Sequence, residues 1–271
     1  MADGHKRSEK QARRDARRRK ERRVETSGHA TAEGATPEEA PLIDEVREAL
    51  DGGQPLDLLG LVSTLILATS PQPAVLRPPG AEDPPSLDEL IAAFVDVQVP
   101  ETTALLAVLG ELLVDDDVRS GRCRRAVDER RDSLPSWITD LAQTTVHRAV
   151  RMTHVLGDGD EVLLGVRLAD AQELTCAVTI DHLVGSEVAD AFFVPESIDA
   201  VLAVAEATNT DPDTTFTDIG LADARAGLRH ALDRHVSKVP LQVSDTWPSC
   251  RALVYWLARL LPEGGHRGGH R

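Results

Sequence analysis

The sequence predicts an α+β protein: an N-terminal helical domain, a four-stranded antiparallel β-meander, and three C-terminal helices, behind a disordered or loosely helical basic arm. Three observations lead there. Apolar residues recur at helical spacing over residues 42–132 and again from 197 onward. Between those stretches, apolar and polar residues alternate in two runs bounded by turn residues. The first 24 residues hold eleven Lys and Arg against four acids, net +7, while the other 247 hold 19 basic and 41 acidic groups, net −22.

The elements follow in order. Residues 1–24 are the arm, and 25–41 are a small, polar, Pro/Gly-interrupted linker that buries too little apolar surface to order itself. A flexible linker of that length reaches about 20–25 Å. In the helical domain, 42–132, the first stripe is Leu42, Ile43, Val46 and Leu50, ended by Gly52-Gly53. Leu56 to Thr69 is almost wholly apolar and so reads as a central helix. Residues 71–85 contain six prolines, which lack an amide hydrogen, and read as an extended loop. Ser86 and Glu89 have the capping-box spacing that opens a helix with the stripe Leu87, Leu90, Ile91, Phe94. A fourth helix follows Pro100 through Leu113, and a polar fifth spans Arg122–Arg131.

The α+β domain, 134–262, opens with a predicted helix from Trp137 to about Val146. Val162, Leu164, Val166 and Leu168 then point one way, as do Leu174, Cys176, Val178 and Ile180. Asp158-Gly159 suits a type I′ turn before the first run; 169–172 and Gly185-Ser186 bound the second. Arg148–Leu156 and Val188–Val194 supply the flanking strands of the meander. Helices are predicted at Ser197–Thr208, Leu221–Val236 and Pro248–Leu261, and 263–271 forms an unfolded tail.

Composition excludes several classes. The three cysteines are odd in number and far apart, which argues against a disulfide framework and fits a reducing compartment. The basic N-terminus has no apolar segment behind it, so it is not a signal peptide. The longest apolar run, Leu58 to Ala68, is half of what a membrane span of about twenty residues needs. Arginine outnumbers lysine 26 to 4, a bias that a GC-rich bacterial genome produces. A cytoplasmic, membrane-free protein is expected.

The arm carries the sharpest functional signal. It has no apolar stripe to lie in a bilayer and no aromatic residue to stack on bases. What remains is phosphate contact, strong, salt-sensitive and nearly blind to sequence. The residues that would make it are Lys10, Arg13, Arg14, Arg17, Arg18, Arg19, Lys20, Arg22 and Arg23. A solvated tail, or pairing with carboxylates of the same protein, has the same composition. A second basic cluster, Arg119, Arg122, Arg124, Arg125, Arg130 and Arg131, either extends a phosphate surface or is a solvated face paired with acids such as Asp115, Asp116 and Asp117.

Other motifs read more plainly as structure. Gly157–Glu161 resembles a calcium loop, but counting from Asp158 the fifth and twelfth positions are Val162 and Ala169, so a hairpin turn is the better account. Asp181-His182, with His154 and Asp190 in neighbouring strands, has the residue types of an acid–base site. Adjacent strand residues point to opposite faces, however, so Asp181 and His182 do not naturally meet. Asp245 or Thr246 is placed to cap the last helix, with Trp247 stapling its loop and Trp137 in a similar role. His266 and His270 lack a third ligand. No phosphate-binding, dinucleotide, zinc-protease or nucleophile-elbow signature is present, so no metal or cofactor is expected.

The leading expectation is therefore a non-enzymatic accessory protein. Its arm would hold RNA, ribosome or DNA phosphates, and its acidic body would meet an unidentified protein partner. An enzyme with a site near His154, Asp181, His182 and Asp190 is one alternative. An adaptor or homo-oligomer built on contacts between arms and acidic bodies is the other.

Overall fold

A computed structural model of the chain describes residues 39–70, 85–183, 185–235, 244 and 246–263. The chain divides into residues 1–40 and residues 41–271. The arm, with Lys10 through Arg23, the proline-rich segment 71–84, Asp245 and the tail from 264 onward lie outside the described residues.

The helical part follows the predicted stripes closely. Helix α1 (Glu39–Gly52) buries Ile43, Val46 and Ala49 and stops at Gly53, whose φ of +65° is open to a residue without Cβ. Helix α2 (Pro55–Ala68) starts on proline, tolerated in a first turn because that amide has no intrahelical partner. Helix α3 (Leu87–Asp96) opens with the predicted capping box: Ser86 Oγ accepts from Glu89 N at 3.3 Å, and Glu89 Oε2 accepts from Ser86 N at 2.7 Å. Helix α4 (Pro100–Leu112) is buried along most of its length.

Helix α5 corrects the sequence expectation. It spans Asp117–Asp128 rather than 122–131, because Asp116 accepts from Arg119 N at 3.0 Å and starts the helix early. Helices α4 and α5 approach closely at Gly110: its carbonyl accepts from Ser120 Oγ at 2.6 Å, and an added Cβ would sit 3.3 Å from Arg124 Cγ.

The helix predicted from Trp137 is also corrected. Only one turn forms, α6 (Ser136–Thr139), followed by a 3₁₀ turn at Leu141–Gln143. Thr144, Thr145 and Val146 are β-branched, and the chain is already in strand β1 (Thr145–His154) by Thr145.

Strands β2 (Gly159–Arg167), β3 (Glu173–Asp181) and β4 (Glu187–Val194) complete the predicted meander. The sheet nevertheless has five strands, not four. After helix α7 (Ile198–Thr208), strand β5 (Thr214–Asp218) returns to the free edge of β1, giving the antiparallel order β4-β3-β2-β1-β5. Phe216 of β5 pairs with Met152 of β1. The predicted Asp158-Gly159 turn is displaced as well. The left-handed residue is Gly157, φ +64°, and Gly159 already belongs to β2, where a Cβ would meet Ile180 O at 2.9 Å.

Each face of the sheet has its own cover. Leu164, Cys176 and Val178 lie in the main core, with α8 (Leu221–His235) and α9 (Trp247–Leu260) packed on the sheet. Val150, Leu163 and Ala177 face the other way, against Ile198 and Leu202 of α7. Helix α9 also packs on α2 and α4, so one hydrophobic cluster runs from Val46 to Leu261 and includes Trp137, Trp247 and Trp256. No helix among the described residues is long and apolar enough to cross a membrane.

Candidate functional site

The chemistry-bearing residues of the sheet gather at one end. Antiparallel pairing sets Thr153 beside Asp160, Asp160 beside Ile180 and His154 beside Thr214. The close of β1, the start of β2, the close of β3 and the start of β5 therefore share an edge. The loops there touch: His182 N donates to Asp158 O at 2.9 Å, and Val155 N donates to Asp213 O at 3.0 Å.

The four residues singled out from the sequence engage different partners. Asp181 accepts from Leu183 N at 2.8 Å and so holds its own turn. Asp190 lies at the β3–β4 register shift and accepts from Ala191 N at 2.7 Å, Ser244 Oγ at 2.6 Å and Thr246 Oγ1 at 2.5 Å. A bulge re-aims a side chain in this way. Asp190 thus ties β4 to the start of α9. The amide of Trp247 is met there by Ser244 Oγ at 2.8 Å, while Thr246 makes no side-chain cap.

His154 Nε2 sits 3.2 Å from Asp211 Oδ2, and Asp213 completes a trio whose ligand-type atoms lie within 4.8 Å of one another. The ring chemistry does not favour a cation. Leu156 N donates to Nδ1 at 3.2 Å, so in the neutral ring the proton sits on Nε2 and faces Asp211. A metal at Nε2 would have to displace that proton while the other nitrogen is already engaged.

His182 gives the most organised arrangement. Its Nδ1 lies 2.9 Å from Ser186 Oγ, and its Nε2 lies 3.3 Å from Asp160 Oδ2. Arg151 Nε stands 3.7 Å from the same carboxylate oxygen. Ser186 is held in the left-handed region at φ +61°, after Gly185 at φ +109°. Hydroxyl, imidazole and carboxylate are thus in series, the order in which an imidazole takes a hydroxyl proton while a carboxylate fixes its tautomer.

Ser186 and Asp160 were not identified from the sequence. Ser186 carried the signal of a turn residue four positions after His182. Asp160 became a neighbour of His182 only through the β2–β3 register.

Three of the most exposed large apolar side chains decorate the same end: Val155 at 71% exposure, Leu156 at 75% and Leu183 at 80%. Asp158 and Asp213 lie exposed beside them.

Three of the six arginines of the second basic cluster have partners inside the fold, while Arg122, Arg125 and Arg131 are exposed. Arg119 pairs with Asp88 and Asp116, each at 2.6 Å; its guanidinium holds the Asp88 carboxyl below the usual carboxylate range, and its main-chain amide, aided by the side chain, does the same for Asp116. Arg124 pairs with Glu111 at 3.0 Å. Arg130 donates to Thr103 Oγ1 at 2.9 Å and to the carbonyls of Phe94 at 2.7 Å and Val95 at 3.0 Å. It thereby satisfies acceptors left over at the end of α3.

Comparison of the chain with models of protein families, with curated proteins and with solved structures found no match.

Proposed function

We propose that the chain is a non-enzymatic accessory protein. Residues 1–24 hold the phosphates of RNA, a ribosome or DNA, and the acidic body engages a protein partner. The observation that carries the reading is where the basic charge is spent. Arg119, Arg124 and Arg130 are paired with Asp88, Asp116, Glu111 and the end of α3, while residues 1–24 hold eleven Lys and Arg against four acids. The exposed Val155, Leu156 and Leu183 among aspartates are what the body offers a partner with apolar and basic groups. The buried Cys123 and Cys176, both free, suit a reducing compartment such as the bacterial cytoplasm.

Gel shift with labelled single-stranded RNA and duplex DNA tests the reading. Full-length protein is expected to bind both, with log affinity falling steeply against log salt, and removal of residues 1–24 is expected to abolish binding. Equal binding by the truncated protein, or none by the full chain at low salt, refutes it.

A second reading rests on the Ser186–His182–Asp160 series. In it the sheet end is an acyl-transfer site with Ser186 as nucleophile and His182 as its base. A fluorophosphonate probe should then label Ser186 and fail on His182→Gln. Labelling no faster than that of the unfolded chain eliminates this reading.

A further inference from the structure

A pocket of about 290 Å³ lies between α2, the end of α4 and the start of α9, far in sequence from the sheet end. Its size is at the lower end of small-molecule sites, and its walls are chiefly apolar, with Ile66, Leu67, Leu112 and Pro248 among them. Polar and charged groups interrupt those walls: Ser63, Ser70, Asp115, Asp116, Arg251 and Tyr255.

Ser63 lines the pocket at 1% exposure, and its Oγ has no partner among the described residues. Buried hydroxyls are normally satisfied, so an unpartnered one in a pocket wall calls for an explanation. Arg251 lines the pocket from α9, with its guanidinium 5.6 Å from the centre of the Tyr255 ring. No carboxylate pairs with it among the described residues. Stacking on a ring occupies the guanidinium face and leaves its N–H edge for a planar acceptor.

Asp115 and Asp116, just beyond α4, line the same pocket. Asp116 is occupied by the side chain and amide of Arg119. Asp115 also lines an adjoining cleft that carries Arg229 and Arg259.

We propose that this pocket binds a small amphipathic carboxylate. The apolar portion lies against the leucine and isoleucine walls, the carboxylate accepts from Arg251, and Ser63 supplies a donor within the apolar wall. Its lining includes no residue of the sheet end.

Calorimetric titration of the full chain with octanoate, octanol and octylamine tests it. Saturable binding of octanoate is expected, at least tenfold tighter than that of octanol, with no binding of octylamine. Arg251→Gln should weaken octanoate tenfold or more and leave octanol unchanged. Ser63→Ala should weaken octanoate severalfold. Ala252→Phe, which fills the pocket while the far-UV spectrum stays native, should abolish both. Absence of octanoate binding to the native chain overturns the proposal. So does binding that Arg251→Gln and Ala252→Phe leave intact.

Discussion

Arg130 exchanges water for the oxygens of two threonines and three main-chain carbonyls, those of Phe94, Val95 and Val97. Burial lowers its pKa, the desolvation outweighing the attraction of Asp132. Arg130→Met keeps the stem but strands the Phe94 and Val95 carbonyls, and a loss of about 1–3 kcal/mol is expected in urea unfolding. Glu161 shows the opposite economy. Burial alone raises its carboxyl pKa, so the folded chain holds that proton more tightly than the unfolded one. The fold is therefore favoured below the unfolded value of about 4.3 and penalised as pH rises through the raised folded value. Glu161→Gln should raise the urea midpoint at pH 7, with the gain closing toward pH 3; equal midpoints at pH 7 would show that the carboxylate carries no penalty. Cys123 and Cys176 are placed for inertness. Burial pushes the Cys123 thiol up to about 11 and the Cys176 thiol well above its ordinary value. Neither should react with Ellman's reagent at pH 8 until the protein is unfolded. That Cys176 is core was readable from its place on an apolar alternation. Arg130 was not so readable, because the carbonyls it satisfies lie more than thirty residues away.

Elements with local start and stop signals were legible. Ser86 and Glu89 encode the opening of α3, Gly53 ends α1, and Ser197 caps α7 by accepting from Ala200 N at 3.3 Å. Strand β5 carries no local signal of its own, because a five-residue edge strand is fixed by pairing with β1, some sixty residues earlier, and not by its own turns. The segment after Trp137 departs from the predicted helix because its helical stripe competes with a β-branched run that the sheet claims. Helix α7 depends on a close approach to the sheet. A Cβ on Gly165 would lie 2.8 Å from Ile198 Cγ2 and 3.1 Å from the His147 ring. Gly165→Ala is therefore expected to cost about 1–3 kcal/mol by overpacking, measured as a lowered urea midpoint. Gly60, where nothing lies within 4 Å of an added Cβ, should accept alanine without loss.

Across residues 41–271 the deciding feature is the continuity of the core. Helix α9 packs on the sheet and on α2, and Trp256, 1% exposed, belongs to the cluster that also holds Trp137 and Trp247. Tryptophan emission and far-UV circular dichroism are therefore expected to unfold in one coincident transition. Two separated midpoints would show that 42–132 and 134–262 fold independently. The charge division, the class, most of the helices and the four meander strands were determined by the sequence alone, because periodicity, caps and turns act over a few residues. Only tertiary structure decided that β5 closes the sheet edge, that Asp190 holds α9 while His182 meets Asp160 and Ser186, and that Ser63 and Arg251 share a pocket. Those outcomes depend on strand register and helix packing between distant segments, where a shift of one residue sends a side chain to the opposite face.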